Sequence, residues 1–327
     1  MPELRIDPIS GRRVYIAEER LGRPNDFVTV ETGHATLVDA QAAREGCPFC
    51  AGHESATPNS SAEIRDAQGQ WQVRVVPNKF PAVSFASAAP GAHEVVIESP
   101  EHVADIFDLS LDQFATVLGV YRDRLAHWAS DSRLRHGIVF KNSGCTAGAS
   151  LEHIHSQLIA LPYVSPYVEA ELAGAQQFGA AQGGCIFCNL LAQEIAAGER
   201  LVFDDAGYAA LCPYAARQPF ETWILPTSHA ARFDQTPDAD LPGLAAAIRG
   251  VLHRLASVCR SAGRELAYNL VLHTGPFDST HADSYHWHWE LIPRTTHLAG
   301  LEWGAGVYIN PVSPERAARE LREAPSP

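Results

Sequence analysis

The sequence predicts an α+β chain of two tandem units, each an antiparallel sheet with flanking helices, related by a pseudo-twofold internal repeat. Three observations carry that expectation. Two Cys-x-x-Cys pairs occur, Cys47/Cys50 and Cys185/Cys188; each is followed by the same succession of parts; and each succession closes on a strand-like His-x-His segment.

In the first copy, Cys47-Pro-Phe-Cys50 is followed by the apolar stretch Arg74-Val-Val-Pro-Asn-Lys-Phe-Pro81, the strand-like His93-Glu-Val-Val-Ile-Glu98 and then Ser99-Pro-Glu-His102. Next comes a helix. Ser110 and Gln113 have the spacing of a capping box, and Phe114, Val117, Leu118, Tyr121, Leu125 and Trp128 recur at helical intervals, which marks a core stripe. In the second copy Cys185-Ile-Phe-Cys188 precedes Ala210-Leu-Cys-Pro-Tyr214, the strand-like Phe220-Glu-Thr-Trp-Ile-Leu225 and Pro226-Thr-Ser-His229. A second stripe follows at Leu241, Leu244, Ile248, Val251, Leu252, Leu255 and Val258. The closing strands are His153-Ile-His-Ser-Gln-Leu-Ile159 and His286-Trp-His-Trp-Glu-Leu-Ile292. Period-two geometry puts His153, His155 and Gln157 on one face, and likewise His286, His288 and Glu290. Polar glycine-containing loops, Asn142-Ser-Gly144 and His273-Thr-Gly275, precede them. The stretch 165–184, rich in Ala, Gly and Gln, is the natural boundary, giving halves of 1–170 and 171–327 whose strands can pair across the pseudo-twofold.

Bulk composition narrows the function. With 327 residues, 46% of them hydrophobic, the chain can bury one large core or two smaller ones. A net charge of −13 argues against a binder that neutralises nucleic-acid phosphates, while leaving room for a small phosphorylated substrate. The N-terminal Met-Pro-Glu-Leu-Arg has no apolar run behind it that could serve as a signal peptide, and no apolar run reaches the roughly 18 residues of a membrane span, so a cytoplasmic protein is expected. Seven cysteines, an odd number without secretory context, argue against a disulfide framework. Cys212 and Cys259 read as small buried hydrophobes, and Cys145 stands alone.

Each Cys-x-x-Cys pair is matched by an isolated histidine and a strand histidine. The sets are Cys47, Cys50, His102 and His153, then Cys185, Cys188, His229 and His286. Two thiolates and two imidazoles suit tetrahedral zinc, and four protein ligands leave no open position, so one or two structural zinc sites are expected. A redox dithiol is the other reading of such a pair, but it does not explain duplication with matched histidines.

The segment Phe140-Lys-Asn-Ser-Gly-Cys-Thr-Ala-Gly-Ala-Ser-Leu-Glu-His-Ile-His-Ser-Gln157 holds the chemistry. Its loop, with Gly144 and Gly148, can present backbone N–H groups and the Ser150 hydroxyl to a phosphate. With His153 engaged by the metal, His155 is a histidine with no cysteine partner. A neutral imidazole attacks phosphorus and leaves again readily. Gln157 can hydrogen-bond phosphoryl oxygens without adding charge. Lys79 and Lys141 read either as sources of positive potential or as solvated surface lysines, and Phe49 and Phe80 either as a base sandwich or as core. His288 holds the place of His155 in the second copy, but no Gly-x-Ser loop precedes it and Glu290 would repel a phosphate, so that half reads as a degenerate copy.

His-x-His-x-Gln after Asn-x-Gly-x-x-x-Gly-x-Ser resembles the active-site signature of galactose-1-phosphate uridylyltransferases, in the histidine-triad superfamily. Arg20-Leu-Gly-Arg-Pro24, Cys47-x-x-Cys50, Asn78, His102, Pro219-Phe-Glu-Thr222 and His273-x-Gly275 extend the resemblance over most of the chain. It implies histidine-triad-like units and a ping-pong exchange, in which His155 takes a nucleoside monophosphate from a nucleotide sugar and passes it to a phosphorylated acceptor. It also implies that Arg20, Arg23 and Asn78 hold nucleotide or acceptor phosphates, and that Asn142, Ser150 and Gln157 hold the α-phosphate. A homodimer is implied as well, with 299–312 reaching the partner's site. Uridylyl transfer from UDP-glucose to a hexose 1-phosphate is the first reading.

The sequence also departs from that family. Ile154 and Ser156 stand where most members carry Pro and Gly, Lys79 where they are acidic, and Tyr308-Ile-Asn where an acidic residue follows the tyrosine. The stretch Gly304–Glu315 resembles the ADP-glucose phosphorylase branch, which passes an adenylyl group to phosphate. A histidine-triad hydrolase would carry a third histidine at Gln157, and a non-catalytic zinc or nucleotide-binding protein would not need His155, Asn142, Ser150 and Gln157 together.

Overall fold

Two short strands, β1 (Glu3–Ile6) and β2 (Arg13–Ile16), open the chain in a computed structural model that describes residues 1–22, 44–278 and 280–325. The first copy then supplies β3 (Ala62–Arg65), β4 (Trp71–Pro77), β5 (Ala92–Ile97), helix α1 (Leu111–Ala129), β6 (His136–Ser143) and β7 (His155–Leu161). Helices α2 (Pro166–Gln182) and α3 (Ile186–Ala197) lead into β8 (Leu201–Asp205), β9 (Tyr208–Leu211), β10 (Thr222–Pro226), α4 (Leu241–Ser261), β11 (Tyr268–His273) and β12 (His288–Pro293). Helix α5 (Gly300–Ala305), β13 (Tyr308–Asn310) and α6 (Pro314–Glu323) finish the chain. Among the described residues no helix is long and apolar enough to cross a membrane.

The repeat is realised as one ten-stranded sheet, ordered β3-β4-β5-β7-β6-β11-β12-β10-β9-β8. Read outward from the centre, the two halves have the same order. The joint is the antiparallel pair β6–β11, in which Asn142 faces Asn269. Strand β13 adds to β2 in parallel, completing a separate three-stranded sheet.

Strand alternation sorts the sheet into two faces. Val96, Leu158, Leu270, Trp289 and Ile224 belong to the large core under α1 and α4. Phe114, Val117, Leu118 and Leu125 of α1 are wholly buried there. Each such side chain is worth about 1.5–3 kcal/mol, well above helix-propensity differences of a few tenths, so packing places these helices. The opposite face carries Val95 and Ile97 in the first copy, and Trp223 and Leu225 in the second.

Two local expectations change. Ser110 caps α1 by accepting the Gln113 N–H, but the Gln113 side chain does not return the bond; it donates to the carbonyls of Gln72 and Glu98, tying the helix to the sheet. His153 and His286 lie just before β7 and β12 rather than within them. The Ala/Gly-rich stretch is a helix, α2, through which the 170/171 division passes. Its small residues serve close packing: a Cβ on Gly174 would sit 1.7 Å from the Ile9 carbonyl oxygen, so the N-terminal segment docks where only hydrogen fits.

Candidate active site and metal centres

Strand β7 brings His155 opposite Ile97 and Gln157 opposite Val95, on the face away from α1 and α4. His155 Nδ1 lies 2.7 Å from the His153 carbonyl oxygen, which can only accept, so Nδ1 bears the proton and Nε2 keeps its lone pair. Burial lowers the ring's pKa; the Lys141 ammonium pushes the same way and the hydrogen bond to the His153 carbonyl opposes. The ring is therefore neutral near pH 7, with the lone pair on Nε2. Phe49, from within the first Cys-x-x-Cys, packs edge-on to it at 5.3 Å between centroids and joins the Trp71, Val76, Val95 and Ile97 cluster. Phe80 is 82% exposed, so the two phenylalanines are in different environments.

After β6 the chain turns through Gly144 (φ +84°) and Gly148 (φ +88°), positions where a side chain would be strained, and leaves Ser150 exposed. Asn142 is half-buried at the end of β6. Its Oδ1 accepts from Asn269 Nδ2 at 2.8 Å, and the same Asn269 amide donates to the Ala147 carbonyl at 2.9 Å. The second copy thereby pins both Asn142 and the loop, leaving the Asn142 N–H groups as donors.

Lys141 is not a solvated surface lysine, the second of its two sequence readings. It is 4% exposed and lies on the helix-covered side, donating to both oxygens of the wholly buried Glu98 at 3.0 and 2.9 Å and to the His155 carbonyl at 2.8 Å. Tyr121 and Ser156 donate to the same carboxylate at 2.6 and 2.5 Å. Lys79 is exposed, as is Arg20 on its 3-10 turn, and Arg23 lies outside the described residues. Asn78 is half-buried, with Nδ2 3.1 Å from His93 Nε2, and His93 in turn reaches Gln157. Nothing in the sequence marks His93: only the β5–β7 register places it beside Gln157.

Two groups of four ligand atoms lie within 4.8 Å of one another, Cys47, Cys50, His102 and His153, and Cys185, Cys188, His229 and His286. In the first, sulfur–nitrogen separations are 3.4 Å (Cys47–His153), 3.3 Å (Cys50–His102) and 3.6 Å (Cys50–His153). In the second they are 3.3 Å (Cys188–His229) and 3.4 Å (Cys188–His286). Bond lengths of about 2.3 Å to sulfur and 2.0–2.1 Å to nitrogen give a tetrahedral edge of about 3.6 Å, so both groups fit a zinc-sized ion. Burial keeps the His153 and His286 rings neutral, lowering their pKa values to about 4 and about 3. It also pushes the thiols of Cys50 and Cys188 up to about 11 and about 12, so a cation is needed to hold them as thiolates. The far nitrogens of His153 and His229 face the Ser99 and Ala282 carbonyls at 3.0 and 2.7 Å, the outer contacts that orient a ligand histidine.

The second copy's counterpart of the reactive face is sealed. His288 and Glu290 are 0% and 1% exposed, and His273 pairs with His288 across β11–β12. Glu171 of α2 accepts from His273 Nδ1 at 2.9 Å and from the Tyr285 hydroxyl at 2.7 Å, while Arg217 binds both Glu221 and Glu290. Burial alone would lower the His273 pKa; Glu171 and Glu290 override it and raise it to about 9. Glu290 is thus neutralised inside the protein instead of facing a substrate. The grouping of Glu171, His273, His288 and Glu290 within 4.8 Å was not legible in sequence, because Glu171 comes from the joining helix.

Residues 1–165 match the family described as galactose-1-phosphate uridyl transferase, N-terminal domain, and residues 90–324 match a domain of unknown function, DUF4921. The chain is 32% identical to ADP-glucose phosphorylase of Arabidopsis thaliana over 98% of its own length and 93% of the relative's. It is 24% identical to galactose-1-phosphate uridylyltransferase of Thermotoga maritima, over 99% and 98%. The crystal structure of the Arabidopsis thaliana ADP-glucose phosphorylase with bound ADP-glucose superposes with a TM-score of 0.85 at 30% identity, covering 99% of this chain and 100% of that one. A uridylyltransferase structure superposes with a TM-score of 0.73 at 28% identity, covering 99% and 98%.

Proposed function

The chain belongs to the galactose-1-phosphate uridylyltransferase family of nucleotidyltransferases, and we propose that it passes a nucleoside monophosphate through a covalent bond to His155, with ADP-glucose as donor and inorganic phosphate as acceptor. The observation that carries the covalent step is the His155 ring, neutral, with Nδ1 bound to the His153 carbonyl, Nε2 left with its lone pair, and Gln157 two residues on along the same strand face. The Nε2 lone pair attacks the α-phosphorus, the bond from that phosphorus to the bridging oxygen breaks, and glucose 1-phosphate leaves. The positive charge that develops on the ring is spread toward the His153 carbonyl through Nδ1–H. Donors from Gln157, Asn142, Ser150 and the Gly148 loop face the oxygens on which negative charge gathers. A phosphate oxygen then attacks the same phosphorus, and the imidazole departs neutral, yielding ADP. Asn78, Arg20 and Arg23 belong to the outer phosphate contacts in this reading.

Adenylyl transfer is preferred to the uridylyl transfer placed first on sequence because identity and superposition are both higher with the ADP-glucose phosphorylase over nearly the whole chain. Uridylyl transfer to a hexose 1-phosphate is the second reading, favoured by the family match over residues 1–165, which contain the entire His155 strand. In either case 1–170 is the catalytic half and 171–327 the closed copy. Cys47, Cys50, His102 and His153, and Cys185, Cys188, His229 and His286, would hold zinc, which would pin distant segments together and take no part in transfer.

The test is intact-protein mass after mixing with ADP-glucose or UDP-glucose, quenched in base, where a phosphohistidine survives. An adenylyl adduct on the wild type, absent from His155→Gly at unchanged zinc content, is expected. A uridylyl adduct alone would favour the second reading, and no adduct with either donor would refute the covalent mechanism.

A further inference from the structure

The tautomer of His93 is set by a backbone N–H. The Ala82 backbone N–H donates to His93 Nδ1 at 3.0 Å, so the neutral ring carries its proton on Nε2. That Nε2–H faces Gln157 Oε1 at 2.9 Å, an oxygen that can only accept, while the Asn78 NH2 group 3.1 Å from the same Nε2 is a second donor and makes no hydrogen bond with it. The loop supplying the Ala82 N–H is itself fastened: Asn78 N–H donates to the His93 carbonyl at 2.9 Å, and Asn78 Oδ1 accepts the Phe80 N–H at 2.8 Å. Burial lowers the His93 pKa, which keeps the ring in its neutral form.

A glutamine amide can point either end at a substrate, and the ends have opposite effects on a phosphoryl oxygen. With Oε1 occupied by His93, the NH2 end remains to face the site next to His155. A flipped amide would set its oxygen against the phosphoryl oxygens and a donor against the His93 donor, so both contacts oppose the flip.

We propose that His93 is a positioning residue for nucleotidyl transfer, relaying the Ala82 N–H through its ring to hold the Gln157 amide as a donor toward the phosphoryl group on His155. This rests on the covalent reading of His155. Removing a transition-state donor outright costs about 100- to 1,000-fold in rate; losing only its orientation should cost less, about tenfold.

The test is the single-turnover rate of adduct formation at saturating ADP-glucose in His93→Leu, His93→Gln, Gln157→Ala and the His93→Leu/Gln157→Ala double variant. Glutamine places an amide nitrogen near the Nε2 position, so His93→Gln should recover most of the rate that His93→Leu loses. His93→Leu should slow the step about tenfold with half-saturation unchanged, and it should have no further effect once Gln157 is alanine. The same loss in the Gln157→Ala background, or a His93→Gln variant as slow as His93→Leu, would overturn the proposal while leaving His155 as nucleophile. No adduct on the wild type with either ADP-glucose or UDP-glucose would overturn the parent reading, and this one with it.

Discussion

Replacing Lys141 by methionine separates a buried ion pair from the surface lysine that the sequence alone allowed. Methionine keeps the length of the side chain but removes two donors to Glu98 and one to the His155 carbonyl. Glu98, wholly buried, would then hold its carboxylate on the Tyr121 and Ser156 hydroxyls alone. Removing one partner of a buried pair costs about 3–5 kcal/mol, against about 0–1 kcal/mol for an exposed pair. An unfolding entropy of about 2.1 cal/mol/K per residue over 327 residues gives about 0.7 kcal/mol per degree, so the melting temperature should fall by about 4–7 °C. An exposed pair would move it by less than about 1.5 °C. The assay is differential scanning calorimetry at matched metal content, with Glu98→Gln/Lys141→Met as the companion. Glutamine removes the uncompensated charge and can still accept from Tyr121 and Ser156, so the double variant should melt above the single one. A Lys141→Met melting point within about 1 °C of wild type, or a double variant no better than the single, would refute the buried-charge account.

Two further outcomes follow from the second copy and the cysteine groups. Cys50→Ser and Cys188→Ser should each lower zinc content by about one equivalent in elemental analysis, each from its own site, since the two groups share no ligand. A variant that keeps full zinc would remove that group from the metal assignment. His273 has a folded-state pKa raised from 6.5 to about 9, so its contribution to stability is fully present below about pH 6.5 and is lost as pH rises through about 9. Urea midpoints should fall across that window in the wild type and fall less in His273→Asn; equal slopes in both would show that His273 is not the titrating group.

The parts of the fold legible in sequence were those written in local pattern. The core stripes of α1 and α4 obey helical spacing, and Cys47/Cys50 and Cys185/Cys188 announce themselves by spacing and duplication. Cys212 and Cys259 are buried, as small apolar cysteines should be. The parts that were not legible depend on which strand lies beside which. Lys141 looks like any lysine until β6 sets it over Glu98, and His93 is one more strand histidine until β5 pairs with β7. Gln113 satisfies a capping pattern yet spends its amide on two sheet carbonyls, because tertiary partners outcompete a local bond that exposed backbone can replace with water. The Ala/Gly composition of α2 marked the join between the copies in sequence, but not the close approach of Gly174 to the Ile9 carbonyl, which depends on where the N-terminal segment docks.

The two halves of the duplicated sheet treat corresponding positions differently. Where the first copy presents half-buried Asn142, His155 and Gln157, the second presents His273, His288 and Glu290, drawn from corresponding strands but closed over by Glu171 and Arg217. A carboxylate at the Gln157 position would repel a phosphate in an open site, and burying it unpaired would be costly. Arg217 and the protonated His273 resolve this by neutralising Glu290 internally, which gives that surface to packing rather than to substrate. The closed copy still acts on the open one, since Asn269 of β11 fixes the Asn142 amide and the Ala147 carbonyl across the central strand pair. In the proposed mechanism, duplication would leave one copy free to bind and react, while the other supplies the edge to which Asn142 and the Gly144–Gly148 loop are fastened.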